Sequence, residues 1–215
     1  MVLYILLLLV VAVIAYFFGS LDSRVIASVF VFRQNLAKLG KGNVWLANFH
    51  RVYGFGGWIK LALVEIVKDA LPILIGLGLL SIKKHGDVGA AFAGFCLVFG
   101  SVFPLIYRFK GASGIFTLIA AAMACKSSVG IAVAIVALGM LAVLRYMPLA
   151  VSVAALAMII VGVLELENSL VMILCIITAL LAIIRHIPGL RRMLRSEESR
   201  LKLENDMSYK FDEKF

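Results

Sequence analysis

Residues 1–18 read MVLYILLLLVVAVIAYFF, an apolar run without a single Asp, Glu, Lys, Arg or His. A helix needs roughly 20 such residues to cross the hydrocarbon core of a bilayer, so this stretch predicts a membrane span. No Lys or Arg precedes it and no small-residue cleavage site is clear, as a secretory signal would require. The run therefore reads as a retained first span with the N-terminus outside.

The rest of the chain repeats the pattern. Of 215 residues, 63% are hydrophobic and only 15% charged, with a mean hydropathy of +1.08. A soluble domain of this length has too little interior to hide so many apolar side chains. The expectation is an all-α, polytopic integral membrane bundle of about seven transmembrane helices. The segments are approximately Met1–Phe18, Trp58–Leu80, Val88–Tyr107, Ile115–Cys125, Val129–Leu144, Met147–Leu164 and Ser169–Ile184. The fourth is short, and Lys126-Ser127-Ser128 interrupts what could be one longer run, so a five-span alternative stays open. Between Arg24 and Trp58, apolar positions such as Val25, Ile26, Val29, Phe30 and Val31 are cut by charges, which suits an interfacial helix.

Charge placement gives an orientation. With the N-terminus outside, inward segments carry Arg24, Arg33, Lys38, Lys41, Arg51, Arg108, Lys110, Arg145, Arg185, Arg191, Arg192 and Arg195. Outward loops carry only Lys83, Lys84 and Lys126, a strong positive-inside bias that makes the C-terminus cytoplasmic. The net charge of +9 thus reflects topology and attraction to anionic membrane lipid, not nucleic-acid binding. Cys96, Cys125 and Cys175 lie in apolar runs without CxxC spacing, and His50, His85 and His186 form no ligand motif. No metal or cofactor is expected.

Two polar features interrupt this apolar background. Gly40–Gly54, GKGNVWLANFHRVYG, is glycine-punctuated and basic. Glycines admit close backbone approach, successive amides can form an anion-binding nest, and Arg51 can fork onto a phosphate. A phosphate-bearing substrate at the membrane surface is one reading; a solvated loop with ordinary topology charges is the other. The second feature is Glu65, Lys68 and Asp69, whose spacing places them on one face of the second span. Ionisable groups in a membrane usually face the bundle interior, as a buried pair or as the lining of a site.

The loops, in this order, resemble the bacterial acyl-phosphate:glycerol-3-phosphate acyltransferases. The family's first motif, approximately GSGNxGATNxxRxxG, is matched at Gly40, Gly42, Asn43, Asn48, Arg51 and Gly54. Gly19-Ser20 matches a family GS pair, with Asp22 where a proline is usual, and Glu65–Asp69 is similar to a DxxKG pattern. The second motif, approximately GHxFPxxxxFKGGKGVAT, is here GSVFPLIYRFKGASGIFT, which matches at Gly100, Phe103, Pro104, Phe109, Lys110, Gly111, Gly114 and Thr117. Arg145-Tyr146 is similar to a family RY pair. The third motif, approximately RHxxNIxRLxxGxExR, is matched at Arg185, His186, Arg192, Glu198 and Arg200.

The resemblance implies a single transmembrane acyltransferase-like domain over residues 1–200, a polar cytoplasmic tail at 201–215, and a multi-pass protein of the bacterial plasma membrane. It implies transfer of an acyl group from acyl phosphate to glycerol 3-phosphate, or a related phosphate-bearing acceptor, in phospholipid biosynthesis. Arg51 and Lys110 would bind phosphate, with Lys41 and the amides of Gly42 and Asn43 in the same cavity. Asn43 and Asn48 would order the loop or bind hydroxyls, and His186 is the candidate catalytic residue, orienting or transferring a proton. The HxxxxD pair of other acyltransferases is absent, since Phe55, Ala90 and Arg191 stand five positions after the three histidines. The resemblance suggests that substrate phosphate takes the hydroxyl proton.

Departures fall at motif positions. Lys41 replaces the GSGN serine, Ser101 a histidine, Ser113 the GGKG lysine and Gly189 an asparagine. The lysine gained at Lys41 offsets the one lost at Ser113 if both loops face one cavity. A catalytically degenerate relative that binds lipid or phosphate ligands, or regulates a paralogue, is the alternative. A small transporter using Glu65, Lys68 and Asp69 is a further one, but the two halves of the chain show no internal symmetry.

Overall fold

The structure, a computed structural model, describes residues 2–40, 46–105 and 114–196. All regular structure among them is helical. Helix α1 spans Val2–Ser20, followed by the single turn α2, Ser23–Ile26, a π-helical turn at Ala27–Val31 and a 3-10 turn at Leu36–Lys38. The long helices are α3 (Leu46–Ser81), α4 (Gly86–Val102), α5 (Ile115–Cys125), α6 (Ser127–Leu144), α7 (Met147–Glu165) and α8 (Ser169–Leu194).

The connections from α3 to α4 and from α5 through α8 are short, so these successive helices run antiparallel. Lys126 alone, extended at φ −166° and ψ 141°, separates α5 from α6. Arg145 adopts φ 59° to turn α6 into α7. Asn168 caps α8, its Oδ1 accepting from the Leu170 amide at 3.0 Å. One end of the bundle is fastened by polar contacts between these turns. Lys126 Nζ donates to Glu165 Oε2 at 2.9 Å, and Asn168 Nδ2 donates to Asp87 Oδ2 at 2.7 Å. The opposite end gathers the C-termini of α1, α4, α6 and α8 with the N-termini of α3, α5 and α7.

Helices α1, α6, α7 and α8 are each long and apolar enough to cross a membrane. The longest, α3, has 36 residues but carries Glu65, Lys68 and Asp69 in its middle. The fourth predicted segment forms a helix with the expected bounds, yet its 11 residues rise only about 16 Å, half the hydrocarbon thickness. Four other expectations shift. The last segment, expected to end at Ile184, continues to Leu194 as α8, because a helix leaving the bilayer can carry Arg185, Arg191 and Arg192 in its final turns. The second segment begins earlier, because α3 starts at Leu46 and bends at Gly54, whose φ of 63° and ψ of −164° are open only to glycine. The third stops at Val102 rather than Tyr107, because Pro104 offers no amide and keeps Phe103 out of the helical region. The proposed interfacial helix is broken into short turns, ending where Arg33 takes φ 54°.

Close backbone approach holds α1, α3 and α4 together. A Cβ on Gly19 would overlap the Leu97 carbonyl, and one on Gly100 would overlap the Tyr16 carbonyl. Gly76 and Gly89 meet in the same way where α3 crosses α4. Small residues at such crossings replace the hydrophobic drive that lipid cannot supply. The other half packs around Val133, Ala150, Ala154, Ala155, Met158 and Ala179. Large apolar side chains such as Leu6, Ile135, Ile160 and Ile184 face outward, as lipid-facing surfaces require.

Candidate active site

A cavity opens at the end of the bundle where α1, α4 and α8 finish. Its walls include Gly19, Asp22, Ser23, Arg24, Trp58, Glu65, Lys68, Ser101, Gly114 and Thr117. Six elements contribute, so residues far apart in sequence meet here by packing alone.

The entrance is organised by Asp22. Its Oδ1 accepts from the Arg24 backbone amide at 2.9 Å, which starts α2, and from Arg24 Nε at 2.9 Å. Arg24 Nη2 reaches Oδ2 at 2.6 Å, completing a forked pair. The residue standing where proline is usual thus fixes a cation at the cavity. Between them Ser23 is buried, and its Oγ has no hydrogen-bond partner among the described residues.

Deeper in, α3 supplies its ionisable groups from successive turns. Lys68 Nζ lies 3.1 Å from Asp69 Oδ1 and donates to the Leu21 carbonyl at 3.3 Å. Asp69 is wholly buried and Lys68 is 7% exposed. Glu65, one turn before Lys68, lines the cavity without a hydrogen bond or ion pair of its own among the described residues. Of the two readings of these charges, each holds in part: Lys68–Asp69 is a buried pair, and Glu65 with Lys68 lines a site.

Two altered motif positions have a structural account. Ser101 lines the cavity and turns its hydroxyl back onto the Val98 carbonyl at 2.8 Å, so it presents no side chain as large as a histidine. Gly114, in the left-handed region at φ 56°, starts α5 beside it. Gly189 on α8 faces Pro148 on α7: a Cβ at 189 would lie 2.6 Å from Pro148 Cγ and 2.8 Å from its Cβ. A rigid ring cannot yield, so Gly189→Asn is expected to lower the melting temperature, by roughly 1–3 kcal/mol of overpacking. Adding Pro148→Ala should recover most of that loss in thermal unfolding. An unimpaired single variant would show that the ring does not exclude a side chain there.

The other predicted site residues divide. Asn48 is buried and its Nδ2 donates to the carbonyls of Leu36 at 3.5 Å and Leu39 at 3.0 Å. These bonds tie the first turns of α3 to the 3-10 turn at Leu36–Lys38. Gly40, at φ 57°, lies against Asn48. Arg51 sits half-buried on α3 before the Gly54 bend and is not among the cavity walls. His186 is buried on α8, its Nδ1–H donating to the Ala182 carbonyl at 2.8 Å, which fixes the ring orientation. It too stands apart from the cavity walls. Lys41, Gly42, Asn43, Lys110 and Ser113 lie outside the described residues, and with them the exchange of lysines between the two loops. Glu198, Arg200 and the 201–215 tail also lie outside them.

Sequence reasoning missed Ser23 and treated Arg24 only as a topology charge. The available signal was an Asp-Ser-Arg tripeptide at the mouth of an apolar span, where a polar cluster is costly unless it has something to bind. His50 was also passed over. It is buried, with its ring edge-to-face with Trp58 at 5.9 Å.

Comparison with known proteins gives consistent results. The glycerol-3-phosphate acyltransferase family matches residues 9–196. A glycerol-3-phosphate acyltransferase of Thermoanaerobacter pseudethanolicus is 25% identical over 190 residues, covering 88% of this chain and 93% of its own. One from Staphylococcus aureus strain Newman is 23% identical over 201 residues, covering 91% and 98%. Crystal structures of PlsY (YgiH), an integral membrane glycerol 3-phosphate acyltransferase, are similar in its glycerol 3-phosphate and lysophosphatidic acid forms. Their TM-scores are 0.70 and 0.71, at 25% and 26% identity, and each covers 91% of this chain and 96% of the other.

Proposed function

The chain belongs to the glycerol-3-phosphate acyltransferase family, and from that premise we infer that it transfers an acyl group to glycerol 3-phosphate in the bacterial plasma membrane. The observation that carries this reading is a family match running through all the long helices, with a polar cavity built at one end of them. The donor is acyl phosphate. The acceptor hydroxyl oxygen attacks the acyl carbonyl carbon, the bond from that carbon to the phosphate oxygen breaks, and inorganic phosphate leaves. The hydroxyl proton passes to phosphate. Because the donor is already activated, the protein chiefly aligns two anions and balances their charge.

Within this reading Arg51, Lys41 and Lys110 hold phosphate, with the amides of Gly42 and Asn43. Asn48 supports them by ordering the preceding segment, and His186, held by Ala182, orients or transfers a proton. Residues 1–200 act as one domain with a polar tail. Seven helices are embedded in the membrane, the short α5 reaching only part of its depth, with the N-terminus outside and the C-terminus cytoplasmic. The twelve-to-three distribution of Lys and Arg supports that orientation, and it makes the cavity end cytoplasmic, where phosphorylated substrates would arrive.

Purified protein given acyl phosphate and labelled glycerol 3-phosphate is expected to form lysophosphatidate, read by thin-layer chromatography. Absence of an acylated product, with the protein folded, would sink the catalytic reading.

A further inference from the structure

Away from the cavity, three helices bring two thiols together. Cys125 is the last residue of α5 and is half-buried, next to Lys126 at the end of the bundle fastened through Glu165. Cys175 is wholly buried on α8. Remote in sequence, the two thiols are hydrogen-bond partners. Cys125 packs against the cluster that holds Cys175 and against a second one of Val88, Ala91 and Val171, so apolar contacts on two sides fix its place beside α8. Helix α7 completes the setting. Cys175 Sγ donates to the Met158 carbonyl at 3.6 Å, and a Cβ on Gly162 would lie 2.8 Å from that sulfur. The glycine leaves the space that the thiol fills.

Neither thiol is among the cavity walls, and no third His, Cys, Asp or Glu joins them among the described residues. Two sulfurs alone fall short of the four ligands of a structural zinc site. The remaining cysteine, Cys96, packs with Val11 and Leu80 in a separate cluster. We propose that Cys125 and Cys175 form an oxidisable dithiol, a modification site for low-molecular-weight disulfides that closes into a bridge from α5 to α8. Cys125, the more exposed of the two, is the thiol such an oxidant reaches. Having given its proton to water, its sulfur attacks one sulfur of the oxidant, and the other leaves as a thiolate. Cys175 then attacks the Cys125 sulfur of this mixed disulfide, loses its proton and displaces the second oxidant sulfur. Two electrons pass to the oxidant, which departs as two thiols, and the chain keeps one S–S bond. On the orientation proposed above, this end faces outward, away from the cytosolic pools that keep thiols reduced. The bridge ties α5, which starts beside the cavity at Gly114, to α8. The proposal goes beyond the acyltransferase reading and stands without it.

The test treats the full chain, reduced and detergent-solubilised, with dithiodipyridine and reads peptide masses after digestion without reductant. Wild type is expected to yield a linked Cys125–Cys175 peptide pair, lighter by two hydrogen atoms and free of thiopyridyl, which dithiothreitol separates. Cys175→Ser should instead keep a stable thiopyridyl adduct on Cys125, because nothing resolves it. Cys125→Ser should leave the buried Cys175 unmodified, and Cys96→Ser should form the bridge as wild type does. A wild-type adduct that stays on Cys125 overturns the proposal, as does an unreacted pair in the folded chain or a bridge through Cys96. The wild-type peptide map decides alone if a serine variant does not fold.

Discussion

Lys68→Met should be the most destabilising single substitution in the bundle. It leaves Asp69, wholly buried on α3, without the ammonium 3.1 Å away. Removing one member of a buried ion pair costs about 3–5 kcal/mol, because the remaining charge keeps its desolvation penalty and loses its compensation. The double variant Lys68→Met/Asp69→Leu removes both charges and should recover most of the melting temperature in the same detergent. It should not recover acyl transfer, because Lys68 also lines the cavity. A single variant that melts with wild type would mean that the pair does not carry the packing of α3 against the α1–α2 turn, where Lys68 meets the Leu21 carbonyl.

Arg51→Lys should weaken glycerol 3-phosphate binding by about tenfold or more, since a charged hydrogen bond contributes roughly 1.5–3 kcal/mol and lysine cannot reproduce a planar fork. The fold should be little affected, as the residue is half-buried and stays cationic. Lys214→Ala in the tail, beyond the last matched motif position at Arg200, serves as the control and should bind as wild type. Equal binding by Arg51→Lys and wild type would put the phosphate elsewhere than on the first segment of α3. Arg51 should matter to inorganic phosphate as well as to glycerol 3-phosphate.

Much of the architecture is legible in the sequence because lipid imposes a single rule. Every backbone amide in the hydrocarbon must be bonded within its own segment, so an apolar run of sufficient length becomes a helix. That rule marks α1, α6 and α7 with nearly their observed bounds and α8 at its start, though α8 runs on past Ile184 to Leu194, and it places α5 correctly although α5 is too short to cross unaided. It works poorly where the chain leaves the bilayer. The Arg24–Lys38 stretch folds into short turns, fastened to the start of α3 by the stacked rings of Phe32 and Tyr53 at 3.9 Å and by Asn48 bonding back to the Leu39 carbonyl at 3.0 Å. None of those partners can be paired from spacing alone.

The site divides along the same line. The sequence by itself determined a helical membrane protein, the glycine-rich basic motifs and their order, and the unusual charges at Glu65, Lys68 and Asp69. Local chemistry and the cost of charge in lipid are written into composition. Only the tertiary structure decided that Lys68 reaches the Leu21 carbonyl, that Ser101 and Thr117 face one cavity with Asp22 and Glu65, and that Pro148 occupies the space a side chain at 189 would need. Those outcomes depend on how closely helices approach, through glycine contacts such as Gly19 with Leu97 and Gly100 with Tyr16. Which side chains meet across the bundle is settled by distances of a few ångströms between helices remote in sequence.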